Sequence, residues 1–159
     1  MIKNIVIDCD GVLTDGGKIV DENGKRTHIR FHSRDNEAIN DLQRQGFRVI
    51  IVTASKFAGI RNYWYDRCRV EVYSLPENKD KVFELTGIDP KETLAIGDDI
   101  IDTAFLNSCA QSYVVADAHP VMKRFYAKLN SKGGEGVMAE VFDLVTSNEY
   151  YLNGTTSIT

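Results

Sequence analysis

Residues 5–16 of the chain have the sequence IVIDCDGVLTDG, which combines a buried strand with a pair of acids. Residues 5–7 are an unbroken β-branched run, typical of a central parallel strand that is buried on both faces. Asp8 and Asp10 follow at its carboxyl end. Ligands bind at the carboxyl ends of strands in open α/β sheets, so we expect both carboxylates to lie in a binding site.

The two carboxylates suggest a specific chemistry. Close carboxylates repel each other and lose hydration on burial, so we expect a compensating cation, and hard oxygen ligands suit Mg²⁺. Asp8 could be a nucleophile that forms an aspartyl-phosphate, and Asp10 a general acid and base. Gly11 would let the backbone turn sharply and approach a phosphate closely. Taken alone, the two aspartates fit a solvated loop better than a catalytic pair. The motifs later in the chain favour the catalytic pair instead.

Composition restricts the class of protein. The chain has 159 residues with a formal net charge of −4, which fits one domain with a sizeable core. Acidic and basic residues are interspersed, so no nucleic-acid partner is predicted. With no apolar stretch of transmembrane length and no signal-peptide core, we expect a cytoplasmic protein without a membrane partner. The cysteines have no metal-site spacing and are predicted to be reduced packing residues, with Cys9 facing away from the acids.

A β-hairpin is predicted directly after the acidic motif. Asn23-Gly24 separates two short β-capable segments and favours a type I′ turn. The hairpin would lie where a flap over the site is expected. Its alternating cationic side chains could meet an anion or a neighbouring subunit, and a solvated face is an equal alternative; they are Arg26, His28, Arg30 and His32.

Alternating strands and helices in the remaining sequence predict an α/β fold, a Rossmann-like parallel sheet flanked by helices. Further strands are expected at 47–52, 70–73, 93–96 and 111–115, with a short extended segment at 129–132. Helices are expected at 34–45 (capped by Ser33), at 57–67 and at 137–145. Two further helices are expected to end near Gly87 and at Tyr126. We therefore predict a single domain over 1–146 and a flexible tail over 147–159.

Further polar residues lie at the predicted ends of other strands. Thr53 ends the strand at 47–52, and Lys79 lies where a loop enters a helix. Asp98 and Asp99 follow the strand at 93–96, and Asp102 lies one helical turn further on, where it could orient them or bind Lys79. Because a second cluster of acids lies at a second strand end, we expect both clusters to belong to one site.

In this order the residues resemble the four motifs of the haloacid dehalogenase superfamily. More narrowly, the chain resembles the capless 2-keto-3-deoxy-octulosonate 8-phosphate phosphatases, which are related to 2-keto-3-deoxy-nononate and N-acylneuraminate 9-phosphate phosphatases. The matching stretches are DGVLTDG at 10–16, DENGK at 21–25, RDNEAI at 34–39, IGDDIID at 96–102, VADAHP at 115–120 and GGEGVMAEV at 133–141.

The resemblance implies a phosphatase mechanism. Asp8 would attack phosphorus, and Asp10 would protonate the leaving alcohol and then activate water. Thr53 and Lys79 would bind phosphoryl oxygens. Mg²⁺ would be held by Asp8, the Asp10 carbonyl and Asp98, with Asp99 helping directly or through water, and Gly11 and Asp102 would support the site.

The resemblance also implies an assembly without a cap domain. Members of this type form homotetramers in which the hairpins help assembly, and a C-terminal glycine loop of one subunit can close a neighbour's active site. Here that loop would contain Gly133, Gly134 and Gly136.

Two departures from the family pattern leave the identity of the leaving group undetermined. Ala54-Ser55 replaces the usual Gly-Arg after the motif-two threonine, and Ala139 replaces an arginine before the Glu of the last helix. Lys56 could take over an anion contact. Arg34, with Asp35, is a candidate for a substrate or flap contact, or only a first-turn charge of its helix.

The leading hypothesis is a Mg²⁺-dependent phosphomonoesterase for an eight- or nine-carbon 2-keto-3-deoxy sugar acid phosphate, in the synthesis of surface glycans such as lipopolysaccharide or sialic acid. The alternative is a catalytically weak module that serves as oligomerisation partner of a sugar-acid cytidylyltransferase. A phospho-accepting receiver domain does not fit, because receivers have their threonine and lysine on the last strands and lack a second Asp two residues beyond the acceptor.

Overall fold

A computed structural model of the chain describes the backbone of residues 1–152 and the side chains of residues 1–146. The strands are β1 (Asn4–Asp8), β2 (Ile19–Val20), β3 (Arg26–His28), β4 (Arg48–Thr53), β5 (Glu71–Ser74), β6 (Thr93–Gly97), β7 (Gln111–Val114) and β8 (Ala127–Lys128). The helices are α1 (Ser33–Arg44), α2 (Ala58–Cys68), α3 (Lys81–Thr86), α4 (Thr103–Ser108), α5 (Met122–Phe125) and α6 (Val137–Leu152).

Six of the strands form one parallel sheet in the order β5-β4-β1-β6-β7-β8, and β2 and β3 form a separate antiparallel hairpin. β1 is central and buried along its whole length, as predicted from its β-branched residues. It pairs in parallel with β4 and β6, so their carboxyl ends meet at one edge. This places Asp8, Thr53 and Gly97 side by side, and it confirms the α/β fold.

Helices cover both faces of the sheet. The connections from β1 through α1 to β4 and through α2 to β5 move one way across the sheet, and those from β6 onward move the other way. Because such crossovers are right-handed, the two sets of helices lie on opposite faces. α1 packs against α2 and also against α6. α6 therefore lies on the same face as α1, although it follows the last strand. Beyond the β2–β3 hairpin, the described residues contain no additional sheet that would form a cap.

The hairpin is present, but its predicted turn type is wrong. A type I′ turn needs positive φ at both central residues, and only Gly24 has it (φ 76°), not Asn23. The Gly24 N–H donates to the Asp21 carbonyl, and the Asp21 carboxylate accepts from the N–H groups of Asn23 and Lys25, each at 2.9 Å. The Asp21 side chain therefore stabilises the turn.

Several element boundaries also differ from prediction, among them those of α1, the last strand and α6. His32, not Ser33, is the N-cap of α1, because its Nδ1 accepts from the Arg34 N–H at 3.1 Å. The last strand is β8, which precedes the predicted segment 129–132. α6 runs on to Leu152, since no glycine or proline stops it near 145. The predicted tail therefore begins inside this helix, and residues 153–159 of that tail lie outside the described residues.

Within the described part of the chain, no helix is long and apolar enough to cross a membrane.

Asp35 on α1 links this helix to the start of α6. The Asp35 side chain is fully buried, and its Oδ1 accepts from the Met138 N–H at 2.8 Å. Its Oδ2 is buried without a hydrogen-bond partner. Burial raises the pKa of Asp35 to about 6, against the opposing effects of the Met138 N–H and the Arg34 charge. Asp35 therefore contributes an N-terminal cap to α6 as well as a buried charge.

This arrangement predicts a pH-dependent stability difference between the wild type and Asp35→Asn. The folded state holds the Asp35 proton more tightly than the unfolded chain, whose pKa is near the usual 3.8. Ionisation therefore lowers the free energy of unfolding as pH rises from about 4 to about 6. We expect the free energy of unfolding of the wild type, minus that of Asp35→Asn, to fall by roughly 2–3 kcal/mol across this window.

Urea denaturation of both proteins at several pH values measures this difference. Asp143→Asn, an exposed change on α6, controls for the removal of one carboxylate from this region. A difference between wild type and Asp35→Asn that does not vary with pH would contradict the assignment.

Candidate active site

A tight turn after β1 holds the first pair of acids. Thr14 is buried, and its Oγ1 accepts from the N–H groups of Gly11 and Gly16, each at 3.1 Å. Gly11 has φ 89°, and a Cβ there would overlap the carboxylate of Asp98. Gly11 is thus needed both for its backbone conformation and for the close approach of an acid from β6. Sequence reasoning identified Gly11 but not Thr14.

Lys79 connects two of the predicted acids. Its Nζ donates to Asp8 Oδ1 and to Asp102 Oδ1, each at 2.6 Å. All three side chains are almost completely buried, with 2% of Lys79, 5% of Asp8 and 0% of Asp102 exposed. The second oxygen of Asp102 accepts from the backbone N–H groups of Asp98 and Asp99, at 2.9 and 3.1 Å. Asp102 therefore both binds Lys79 and orients the β6 loop, the two alternatives left open by the sequence.

The pKa values of these groups follow from burial and from their mutual charges. Burial and the charge of Asp102 raise the pKa of Asp8 well above its usual value, although Lys79 opposes this. Burial raises the pKa of Asp98 to about 7; a hydrogen bond with Asp8 opposes the shift, and the charges of Asp102 and Asp99 add to it. Burial lowers the pKa of Lys79, but the charges of Asp8 and Asp102 outweigh burial and raise it. One ammonium does not neutralise all of these carboxylates.

The acidic groups fit a divalent cation. Carboxylate oxygens of Asp8, Asp98 and Asp102 lie within 4.8 Å of one another. A cation would offset the mutual repulsion that adds to the effect of burial on the pKa values of Asp8 and Asp98. All the donors are hard oxygens. Asp99 is not in this cluster, because its Oδ1 caps the following turn by accepting from the Ile100 N–H at 2.7 Å.

A cavity of about 340 Å³ opens above this cluster. Asp8, Asp10, Thr53, Lys79, Asp98 and Asp99 all line it, together with Lys18, Ser55 and others. Thr53 is buried at the end of β4, and its Oγ1 accepts from the Ser55 N–H at 3.0 Å. The structure thus brings the predicted catalytic, phosphate-binding and acidic residues to one cavity. Lys56 lies in the adjoining groove instead.

Arg26 is a site residue that the sequence did not identify as one. Its guanidinium donates to both oxygens of Asp10, from Nη1 to Oδ2 at 3.1 Å and from Nη2 to Oδ1 at 2.8 Å. The only signal in the sequence was its place on the alternating cationic face of the hairpin. Arg30, on the same face, is instead mostly exposed and lies 3.6 Å from Asp15.

The glycine loop lies against its own chain, on the turn after β1. That it also closes a neighbour's active site stays a prediction. The Gly134 N–H donates to the Val12 carbonyl at 2.9 Å, and a Cβ on Gly133 would overlap the carbonyl oxygen of Gly11. Both glycines are buried. Gly136 (φ 86°) packs against the side chain of Arg34, which is not among the residues that line the cavity.

Cys9 is a buried free thiol, as predicted from its alternation with the acids. Burial, with the charges of Asp10 and Asp8, raises its pKa well above the usual value, which disfavours the reactive thiolate.

Comparison with known proteins agrees with this geometry. No protein-family model matches the chain. The 3-deoxy-D-manno-octulosonate 8-phosphate phosphatase of Salmonella typhi is 31% identical over 153 residues, which cover 91% of this chain and 79% of the relative.

Two solved structures of proteins with this activity superpose closely. The Haemophilus influenzae deoxy-D-mannose-octulosonate 8-phosphate phosphatase in its cobalt-bound form gives a TM-score of 0.85 at 26% identity, covering 98% of this chain and 94% of that one. The Yersinia pestis 3-deoxy-D-manno-octulosonate 8-phosphate phosphatase gives a TM-score of 0.80 at 26% identity, covering 96% and 85%.

The fold, the acid cluster and these likenesses define a phosphatase of the haloacid dehalogenase superfamily. Within it, the chain belongs to the 3-deoxy-D-manno-octulosonate 8-phosphate phosphatase family.

The different placement of two adjacent acids gives a matched pair of variants. Asp98→Asn removes charge from the acid cluster, whereas Asp99→Asn changes a group outside it. We expect Asp98→Asn to weaken Mg²⁺ binding at least about tenfold, the equivalent of about 1.4 kcal/mol, and Asp99→Asn to have a much smaller effect. Titration calorimetry with Mg²⁺ measures both. Equal losses in the two variants would show that Asp99 is also a ligand.

The packing of the glycine loop predicts a stability effect. Gly133→Ala would force apart the loop and the turn after β1, because the added methyl meets backbone atoms that cannot turn aside. We expect a loss of about 2 kcal/mol or more in the free energy of unfolding. Gly17→Ala is the control, since its nearest neighbour is the movable Asp15 carboxylate at 3.0 Å. Denaturant titration compares the two, and equal losses would contradict the packing.

Proposed function

We propose that the protein is a Mg²⁺-dependent phosphomonoesterase that works through an aspartyl-phosphate on a sugar phosphate. The proposed substrate is the 8-phosphate of the eight-carbon acid 3-deoxy-D-manno-octulosonate or the 9-phosphate of a nine-carbon relative. The observation that supports it best is Lys79, buried between Asp8 and Asp102 beneath the cavity. A buried cation beside a carboxylate at the end of a central strand suits the stabilisation of a phosphoryl group during transfer.

In the proposed first step, an Asp8 carboxylate oxygen attacks phosphorus. The bond between phosphorus and the ester oxygen breaks, and the leaving alkoxide takes a proton from Asp10. In the second step, Asp10 takes a proton from water as the water oxygen attacks phosphorus. The bond between phosphorus and Asp8 breaks, which releases inorganic phosphate and regenerates the Asp8 carboxylate.

The remaining residues would stabilise charge on the phosphoryl oxygens. Lys79 supplies a buried positive charge, and the Thr53 hydroxyl is available to donate from the neighbouring strand. Asp8, Asp98 and the Asp10 carbonyl would hold Mg²⁺, since both oxygens of Asp102 already accept hydrogen bonds. When bound, the ion supplies positive charge that keeps Asp8 ionised and offsets the phosphoryl charge.

The substrate class is proposed from the relatives, because the curated and solved proteins described above are named for the eight-carbon acid phosphate. The described cavity is consistent with a phosphate ester whose alcohol extends toward the hairpin, since Lys18 at the hairpin base lines it.

We also propose a homotetramer in the cytoplasm. Ile19 and Val20 are 60% and 50% exposed on the hairpin, as expected of an apolar edge that a second subunit covers. The three cysteines are all free, which suits a reducing compartment.

Phosphate release from a panel of esters tests the proposal. The panel contains the 2-keto-3-deoxy-octulosonate, 2-keto-3-deoxy-nononate and N-acetylneuraminate phosphates together with neutral sugar phosphates, each with Mg²⁺ and with EDTA. We expect release that depends on Mg²⁺. Release from none of them would contradict the proposal and favour the alternative, an assembly partner of a sugar-acid cytidylyltransferase.

A single substitution tests the nucleophile. We expect Asp8→Asn to lower kcat at least about a thousandfold, because the amide cannot form the acyl phosphate. Asp15→Asn is the matched control: it lies on the same turn outside the cavity, and asparagine can still accept from the Gly17 N–H. Near-wild-type turnover by Asp8→Asn would exclude Asp8 as the nucleophile.

A further inference from the structure

Arg26 lies between the hairpin and the active site and contacts both. In addition to its two hydrogen bonds with Asp10, its guanidinium lies over the ring of Phe57, 5.3 Å from the ring centroid. Only 10% of the Arg26 side chain is exposed, compared with 26% of Asp10. Such a planar fork fits a carboxylate with two parallel hydrogen bonds.

This pairing is incompatible with the proposed role of Asp10. Both Asp10 oxygens accept from Arg26, whereas a general acid needs one oxygen free to face the leaving group. At least one of the two hydrogen bonds must therefore break when a substrate binds. A poorly exposed guanidinium that loses its partner is destabilised unless another anion replaces it.

A groove beside Arg26 is suited to receive that anion. It has a volume of about 550 Å³ and lies between the hairpin and residues 55–59. Lys18, Lys25 and Lys56 line it together with Arg26, and the described residues along it include no acid. Three lysines and Arg26, along a groove that no described acid lines, attract an anionic group.

The groove adjoins the active-site cavity. Lys18 and Ser55 line both spaces. A substrate whose phosphoryl group lies above Asp8 and Lys79 would therefore extend its leaving group past Asp10 toward Arg26. Any negative charge on that leaving group would enter the groove.

We propose that Arg26 is a specificity-determining residue that exchanges Asp10 for the carboxylate of an acidic leaving group. The groove then holds the carboxylate, and Asp10 is free to act on the ester oxygen. In the substrate-free protein, Asp10 occupies the position of that carboxylate. This inference rests on the proposed phosphatase function and assigns to Arg26 the recognition of the carboxylate of its substrate.

The test compares kcat/KM for an acidic and a neutral ester, 2-keto-3-deoxy-octulosonate 8-phosphate and mannose 6-phosphate. We expect the wild type to prefer the acidic ester. Arg26→Met should reduce the acidic-to-neutral ratio of kcat/KM roughly 10- to 100-fold, mainly through KM for the acidic ester. Arg26→Lys keeps the charge but not the fork and should give an intermediate ratio.

Arg30→Met is the matched control. Arg30 lies close to Arg26 in the chain, its side chain is 77% exposed, and it does not line the groove. We expect the acidic-to-neutral ratio of this variant to equal that of the wild type. Titration of the phosphate-free sugar acid into wild type and Arg26→Met supplies a binding readout that needs no turnover, and we expect weaker binding to the variant.

The outcomes separate this inference from the proposed function. Equal losses on both esters in Arg26→Met would show that Arg26 only positions Asp10, and would overturn the inference. A wild type that hydrolyses both esters equally would also overturn it, while the phosphatase function would stand. Absence of release from every ester would instead refute the function, and the binding of the free acid would still test the groove.

Discussion

The ion-pair chain from Asp8 through Lys79 to Asp102 is the interaction on which the site depends. It brings two carboxylates and an ammonium into an almost fully buried position, where an unpaired charge would be strongly destabilising. Asp102 also accepts from the N–H groups of Asp98 and Asp99, so the same network fixes the loop after β6. One lysine therefore stabilises acids from two strand ends. Burial raises the pKa values of Asp8 and Asp98, and the remaining negative charge adds to this effect, so a divalent cation fits there.

The turn after β1 is contacted on two sides, by packed backbone on one side and by a side-chain ion pair on the other. On one side the buried backbone of Gly133 and Gly134 packs directly against it, in a loop fixed in turn by the capping of α6. On the other side Arg26 reaches it from a two-stranded hairpin with exposed apolar residues. Backbone packing leaves little freedom, whereas a side-chain ion pair can exchange partners. Of these two contacts, the hairpin contact is therefore the one that can respond to a substrate.

The residues proposed for the chemistry and those proposed for specificity lie in separate parts of the chain. Family membership rests on sequence identity over most of the chain, and the residues proposed for phosphoryl transfer converge in the described cavity. The family pattern places Gly-Arg where this chain has Ala54-Ser55, at the edge of the groove next to Arg26 and Lys56. The loop after β4 therefore lacks that arginine in this chain, whereas Arg26 on the hairpin and Lys56 supply positive charge beside it. We therefore place recognition of the leaving group on residues separate from Asp8, Lys79 and Asp98.

The sequence by itself determined the parallel sheet and most of its acid site, because β-branched runs predict strands and the ends of parallel strands meet at one edge. It also predicted that Asp102 could bind Lys79. Only the tertiary structure decided which partners other polar groups take. The hairpin folds back to pair Arg26 with Asp10, Asp35 on α1 caps α6, and the glycine loop packs on its own chain. These contacts join segments far apart in sequence, and local patterns of hydrophobicity and turn residues contain no information about which distant group a side chain will meet.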